Sequence, residues 1–393
     1  MTKGDARGHW RSAAMLAPLI LFSALFFLWP LASVMTVAVS DPVILRAFPS
    51  LGAASEGWSR NGPPTPAMQR ALVDDIRSID DAQVLGAAVR RLNAAHAGFR
   101  SLMGRTAAAV RSQDGTDVDL FAVDARWREP EPWRAIIDGL SPYTDEFLLA
   151  AIDYGRDENG AITRLPPDKS GNRYVFARTI WIALQVTAAT IAIGLPYALL
   201  MASVTGWTRH ALMAALLVPM WTSVLVRTAA WFIMLQDQGL INEVLVGIGL
   251  TRDPLTLLFN RAGVLISMTH QTLPYMVLPI FSVLVSLPKS LMPAAASLGA
   301  HPLRAFWRIL LPLSLRGIVS GALLVFMTSI GFYIVPALVG GPRDQLISSL
   351  IAHYATGTAN WQMASALGLV LLGMTGCLYA VYSRFAGSGQ IGR

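Results

Sequence analysis

Arg227, His270 and Gln271 are side chains capable of chemistry that fall inside long apolar runs. An ionisable residue in such a run is costly to desolvate and is a functional candidate by default. His270 and Gln271 stand just before Pro274, and a Pro-interrupted helix at membrane depth is where transporters often place a pathway. Trp221 and Trp231 lie near Arg227 in the sequence, and a guanidinium can stack on aromatic faces. Tyr275, Phe332 and Tyr333 would complete an aromatic lining. Each residue also has a structural reading. Arg227 can pair with a carbonyl or a helix end, or reach the membrane surface. His270 and Gln271 can make interhelical hydrogen bonds, and the tryptophans can be interface anchors.

Hydrolytic and metal chemistry are not encoded around these residues. No second His stands near His270, and Asp237 and Glu243 belong to a connecting loop, so the paired groups such chemistry needs are missing. Cys377 is alone in an apolar run, which excludes an internal disulfide and a cysteine-based metal site and leaves it a packing role. The chain has three lysines, and none follows a Gly-rich phosphate loop. If ATP drives this protein, a partner must bind it.

The elements that position these residues are membrane spans. Of the 393 residues 54% are apolar and 14% charged, against about a quarter charged in a soluble chain. Six segments approach the roughly 20 residues a helical span needs: 13–39, 177–203, 211–235, 262–287, 317–339 and 363–382. The first follows Lys3, Arg7 and Arg11 as a signal peptide would, but it is too long for a signal core and is expected to remain as an uncleaved span. With the N-terminus in the cytoplasm, that side collects Lys3, Arg7, Arg11, Arg209, Lys289, Arg304, Arg308, Arg316, Arg384 and Arg393 against Asp5. The short loops opposite hold Arg252, Arg261 and Arg343 with Asp237, Glu243, Asp253 and Asp344. This asymmetry sets the orientation, with both termini cytoplasmic. It also accounts for the net charge of +7 without nucleic acid.

Residues 41–175 have ordinary composition and hold most of the acids. Val84, Ala88, Leu92, Ala95, Phe99 and Leu102 recur at helical spacing, and 66–80 and 132–151 look similar. The expectation is a mostly helical periplasmic insertion between 1–40, the N-terminus with its first span, and 176–393, a five-helix core. Within that core, 288–315 forms a cytoplasmic loop. In it an Ala-rich helix ends at Gly299, and Pro302 opens a second helix. Leu303, Phe306, Trp307 and Leu310 repeat there as one apolar face, and such a face at a water-facing loop marks a binding surface.

At these residues the chain resembles the integral-membrane permeases of binding-protein-dependent ABC importers. Their signature runs Glu-Ala-Ala, three residues, Gly-Ala, then a Phe and a closing Leu-Pro. Ala294, Ala295, Gly299, Ala300, Phe306, Leu311 and Pro312 fall at the matching positions, while Pro293 replaces the Glu. The stretches 219–231, 239–242, 273–279 and 336–342 are similar to the polyamine (spermidine/putrescine) subfamily. The resemblance implies an all-α, polytopic six-span bundle of the type I importer permease fold in a bacterial inner membrane. It implies no catalysis and no bound cofactor, with ATP held on a partner ATPase dimer docked at the loop, Trp307 included. A second permease, alike or different, and a periplasmic solute-binding protein complete the implied assembly. Polyamine is the first cargo expectation. Phe332 stands where many such permeases carry an acid, so an opine-like compound, an aminophosphonate or an organic anion stays open. A membrane sensor or anchor acting through the insertion is the reading from another class.

Overall fold

In the computed structural model, residues 15–112, 118–157, 160–168 and 170–387 are described. Lys3, Asp5, Arg7, Arg11 and Arg393, used above for orientation, lie outside them. The chain forms two compact units, Met1–Leu148 and Leu149–Arg393.

The first unit opens with α1 (Met15–Val39), an apolar helix long enough to span. Beyond it come α2 (Val43–Ala47), α3 (Pro49–Ala54), α4 (Pro66–Ser78), α5 (Ala82–Ala95), α6 (Phe99–Ser112) and α7 (Pro130–Asp138), with α8 (Glu146–Ala151) crossing the boundary between units. Their starts are capped locally: the Thr65 hydroxyl accepts from Met68 N, and the Asp81 carboxylate from Gln83 N. The helical spacing that runs from Val84 to Leu102 predicts continuous helix. The structure breaks it between α5 and α6, because Gly98 takes φ +99° and the Asn93 side chain accepts from both Gly98 N and Arg100 N. The stretch 132–151 likewise divides into α7 and α8.

Phe48, Leu51, Met68, Leu72, Leu102 and Ile136 pack into one core around Trp127 and Trp133, whose ring centres lie 5.0 Å apart. Both indoles are satisfied, Trp127 donating to Thr106 Oγ1 at 2.9 Å and Trp133 to the Trp127 carbonyl at 2.9 Å. Buried Asp75 accepts from Ser50 N and Leu51 N, and burial pushes its carboxyl up. Entry and exit of this region are zipped together. Ser40 pairs with Tyr143, Asp41 N donates to the Pro142 carbonyl at 3.0 Å, and Arg91 holds Asp41 at 2.6 Å and also Glu146.

A two-stranded antiparallel hairpin, β1 (Tyr154–Arg156) with β2 (Ile162–Arg164), opens the second unit; the sequence showed no sign of it. Then follow α9 (Asn172–Ser203), α10 (Gly206–Leu217), α11 (Val224–Met234), α12 (Leu240–Gly247), α13 (Arg261–Ser286), α14 (Leu291–Ser297), α15 (Pro302–Gly331), α16 (Ile334–Leu338), α17 (Ile347–Ala352) and α18 (Trp361–Gly387).

Five single helices are long and apolar enough to span, namely α1, α9, α13, α15 and α18. The expected third span, 211–235, is instead a bent pair. Gly206–Trp221 and Val224–Met234 meet at 103°, and counting this pair as one span gives six. The turn follows Pro219, and Ser223 caps the new helix by accepting from Val226 N. The expected fifth span, 317–339, is also displaced, because its helix starts at Pro302 and ends at Gly331. Phe332 is extended, and its carbonyl accepts the Ser348 hydroxyl at 2.5 Å. Apolarity continues across that break, so hydropathy does not register it.

The unit's centre is α13 packed on α9 and α15, with small residues at the crossings. A Cβ on Gly317 would stand 2.8 Å from Ile280 Cα and from the Pro279 carbonyl oxygen, and one on Gly194 would stand 2.9 Å from Met276. Small residues let membrane helices approach closely where hydrophobic burial gives no drive. At one end of the bundle Arg178 donates to the Gln345 carbonyl, Ile347 N donates to Thr179 Oγ1, and Arg261 meets Asp344 at 3.2 Å. Near the other, Arg209 donates to the Met201 and Val204 carbonyls, closing the end of α9.

Candidate coupling surface and intramembrane polar site

The elbow at 288–315 is built by backbone chemistry. In α14 the last carbonyls need partners. Gly299 turns at φ +80° and donates to Ala296 O at 2.9 Å, while Ala300 N reaches Ala295 O at 3.0 Å. This paired closure is a Schellman motif and requires a left-handed residue at the Gly299 position. His301 caps the next helix, its Nδ1 accepting from Leu303 N at 3.4 Å, and Pro302 fills the first turn. Over Phe306–Leu310 the helix widens to a π turn, with Leu311 N bonded to Phe306 O. The widening lies directly before Pro312, whose ring would crowd the Arg308 carbonyl in a regular turn.

The apolar face expected of Leu303, Phe306, Trp307 and Leu310 divides in two. Leu303 and Trp307 are 65% and 64% exposed, and Leu298 on the turn is 89% exposed. Phe306 is half-buried and meets Trp307 edge-on at 5.6 Å, while Leu310 and Leu311 pack on the core of the bundle. Ala295 is buried, Ala300 half-buried, and Ala294, Pro293 and Pro312 exposed. Arg304 and Arg308 are exposed beside the apolar residues.

The polar residues of the bent pair and α13 are brought together in part. Trp231 donates its indole N–H to His270 Nδ1 at 3.1 Å, with ring centres 5.3 Å apart. Gln271 Nε2 donates to Thr228 Oγ1 at 3.3 Å. Both bonds tie α11 to α13. Arg227 stacks on neither tryptophan among the described residues: Trp231 is engaged by His270, and Trp221 lies 88% exposed on the other side of the bend. The Arg227 Nε and Gln271 Oε1 atoms are buried with no hydrogen-bond partner. Tyr275, Phe332 and Tyr333 are not joined to this group by hydrogen bonds among the described residues. Phe332 packs on the core and Tyr333 is exposed at the end of α15. Thr228 was not picked out from the sequence, although its place beside Arg227 was a usable signal. Buried Ser267 and Ser329, whose hydroxyls lack partners, offered none.

No Asp or Glu occurs within any of the candidate spans, and no group of acids, His and Cys able to hold a metal occurs among the described residues. The elbow offers an apolar docking face, and the intramembrane group offers donors and one acceptor. Neither presents a nucleophile paired with a base.

Residues 194–386 match the family model described as "Binding-protein-dependent transport system inner membrane component". The spermidine/putrescine transport system permease protein PotB of Escherichia coli (strain K12) is 33% identical over 210 residues, covering 53% of this chain and 76% of that protein. The inner membrane ABC transporter permease protein YdcU of the same organism is 32% identical over 228 residues, covering 54% and 71%. A solved bacterial ABC transporter involved in import of the acidic polysaccharide alginate aligns at TM-score 0.42 and 20% identity over 56% of this chain and 80% of that one. The first unit lies outside the family match. The chain therefore belongs to the binding-protein-dependent transport system inner membrane components, as a multi-pass, non-enzymatic permease subunit of an ABC importer with the type I permease fold and polyamine-type relatives.

Proposed function

We propose that this chain forms the translocation path for a small organic solute, delivered by a periplasmic binding protein and moved at the expense of ATP held on a separate ATPase dimer. The observation that carries the reading is the elbow: Leu298, Leu303 and Trp307 are large apolar side chains turned to solvent on a backbone fixed by Gly299. Exposed apolar patches of this kind mark protein contacts. Closure of the ATPases against the elbow would shift the bundle between inward-open and outward-open populations. The chain itself holds no cofactor, both termini lie in the cytoplasm, and 41–175 is a periplasmic insertion. A second permease subunit completes the core in membrane lipid. PotB-type relatives favour polyamine as cargo, and the carboxylate-free spans favour an anion.

Mild-detergent capture of the tagged chain from its own membranes, read by mass spectrometry, tests the coupling surface. The ATPase subunit is expected with wild type and lost with the Phe306→Ala, Trp307→Ala double variant. Equal recovery from both would place the docking face elsewhere.

A further inference from the structure

The group around Arg227 is left unbalanced by the fold, and the imbalance has a sign. Arg227 lies in the first turn of α11, just after Ser223 caps that helix. A helix N-terminus carries partial positive charge and disfavours a cation there, so the arginine adds to a positive end instead of neutralising it. The Arg227 Nε is buried and unpartnered, and no carboxylate occurs in any span to answer it.

Three neighbours define the rest. The Trp231 N–H occupies His270 Nδ1 as an acceptor, which makes the imidazole neutral and puts its proton on Nε2 as a further donor. Arg227 stands beside Thr228 and one turn before Trp231 on α11, so the bonds that those two residues make to Gln271 and His270 set it on the side of α11 that faces α13. Gln271 is 2% exposed, spends its amide N–H on Thr228, and leaves its carbonyl oxygen buried without a donor. Gln271 stands about 15 Å along α13 from Arg261 at 1.5 Å per residue, which is mid-depth for a hydrocarbon core of about 30 Å. Buried polar atoms without partners are rare and call for a ligand group or water.

We propose that Arg227 and His270 form an oxyanion-binding site on the translocation path, with Gln271 accepting from the same solute. The cargo is then a small molecule carrying a carboxylate or phosphonate together with an N–H or O–H donor, and not a polycation. The inference rests on the permease reading and adds the class of solute. A polyamine has no group for Arg227 to hold and would meet an uncompensated cation at mid-membrane. A guanidinium matches carboxylate and phosphonate oxygens in paired hydrogen bonds.

The test uses the complete importer, purified with its binding protein and ATPase and reconstituted in proteoliposomes. Radiolabelled 2-aminoethylphosphonate, glutamate and putrescine are the probes for ATP-dependent uptake. Wild type is expected to accumulate at least one of the two anions and to leave putrescine outside. Arg227→Gln is expected to lower anion uptake about tenfold or more, the loss of a charge-assisted hydrogen bond. Arg227→Lys, which keeps the charge without the fork, should retain part of it. Uptake of putrescine in preference to both anions, uptake of neither anion by a complex that hydrolyses ATP, or unchanged anion uptake in Arg227→Gln each overturns the inference while leaving the permease reading intact. If Arg227→Gln fails to assemble, the wild-type probe preference and the Arg227→Lys uptake still decide it. A chain that captures no ATPase overturns both readings at once.

Discussion

Gly299 holds φ at +80° where the elbow reverses, and a Cβ there would meet nothing within 4 Å. Its constraint is therefore the backbone itself and not a neighbour. A left-handed conformation costs a residue with a Cβ roughly 1–2 kcal/mol, most for a β-branched side chain and least for Asn. Gly299→Val should thus unfasten the bonds from Gly299 N and Ala300 N and shift the exposed Leu298 side chain on the turn, whereas Gly299→Asn should keep the turn. The expected result is loss of ATPase capture and of solute uptake in the valine variant, with both largely retained in the asparagine variant at equal membrane abundance. Equal uptake by the two would show that coupling does not depend on the shape of this turn.

Close approaches at glycine set the helix crossings in the second unit, since apolar residues recur on every side of a span and mark no single packing stripe. Gly317 is the tightest case on α15, with Ile280 Cα and the Pro279 carbonyl each 2.8 Å from a would-be Cβ. Neither backbone atom can rotate away, so Gly317→Leu forces α15 off α13 at an overpacking cost of about 1–3 kcal/mol. A thermal-unfolding assay on the detergent-solubilised protein should show a clear fall in Tm, while Gly376→Leu, with open space at its Cβ, should leave it in place. The sequence allowed the spans to be found because length and apolarity are local properties. It also allowed Gly299 to be read as a helix stop, because a Gly between an Ala-rich stretch and a Pro is a local signal. The bend at 103° and the end of α15 at Gly331 were not legible, since apolar residues continue through both. The pairing of Trp231 with His270 was not legible either. Spacing within one helix suggested Arg227 for that indole, and only the packing of α11 on α13 supplied the partner.

For the chain as a whole, the division after Leu148 leads to a prediction about independence. Chains that enter and leave a domain side by side can be cut there with little loss, and here the Ser40–Tyr143 pairing and the Arg91 clamp on Asp41 and Glu146 bring entry and exit together. The region carries its own core around Trp127 and Trp133. A soluble fragment of residues 40–148 should fold as a monomer and melt in one transition, followed by circular dichroism. In it, Arg91→Ala strands the 7%-exposed Asp41 carboxylate. The expected loss is about 2–3 kcal/mol, below the full value for a buried pair because Arg91 is partly exposed. Asp124 provides a pH signature. Hydrogen bonds from Arg126 hold its carboxyl down at about 2, below its unfolded value of about 3.9. Its contribution is thus present above the unfolded value and is lost as pH falls through the folded one. Asp124→Asn should destabilise the fragment at pH 7, with the difference from wild type narrowing below about pH 4 and vanishing only below about pH 2. A constant difference across that range would mean that the Asp124 side chain acts by packing and not by its charge. A fragment that stays unfolded at every pH would show that the unit needs the membrane bundle to form.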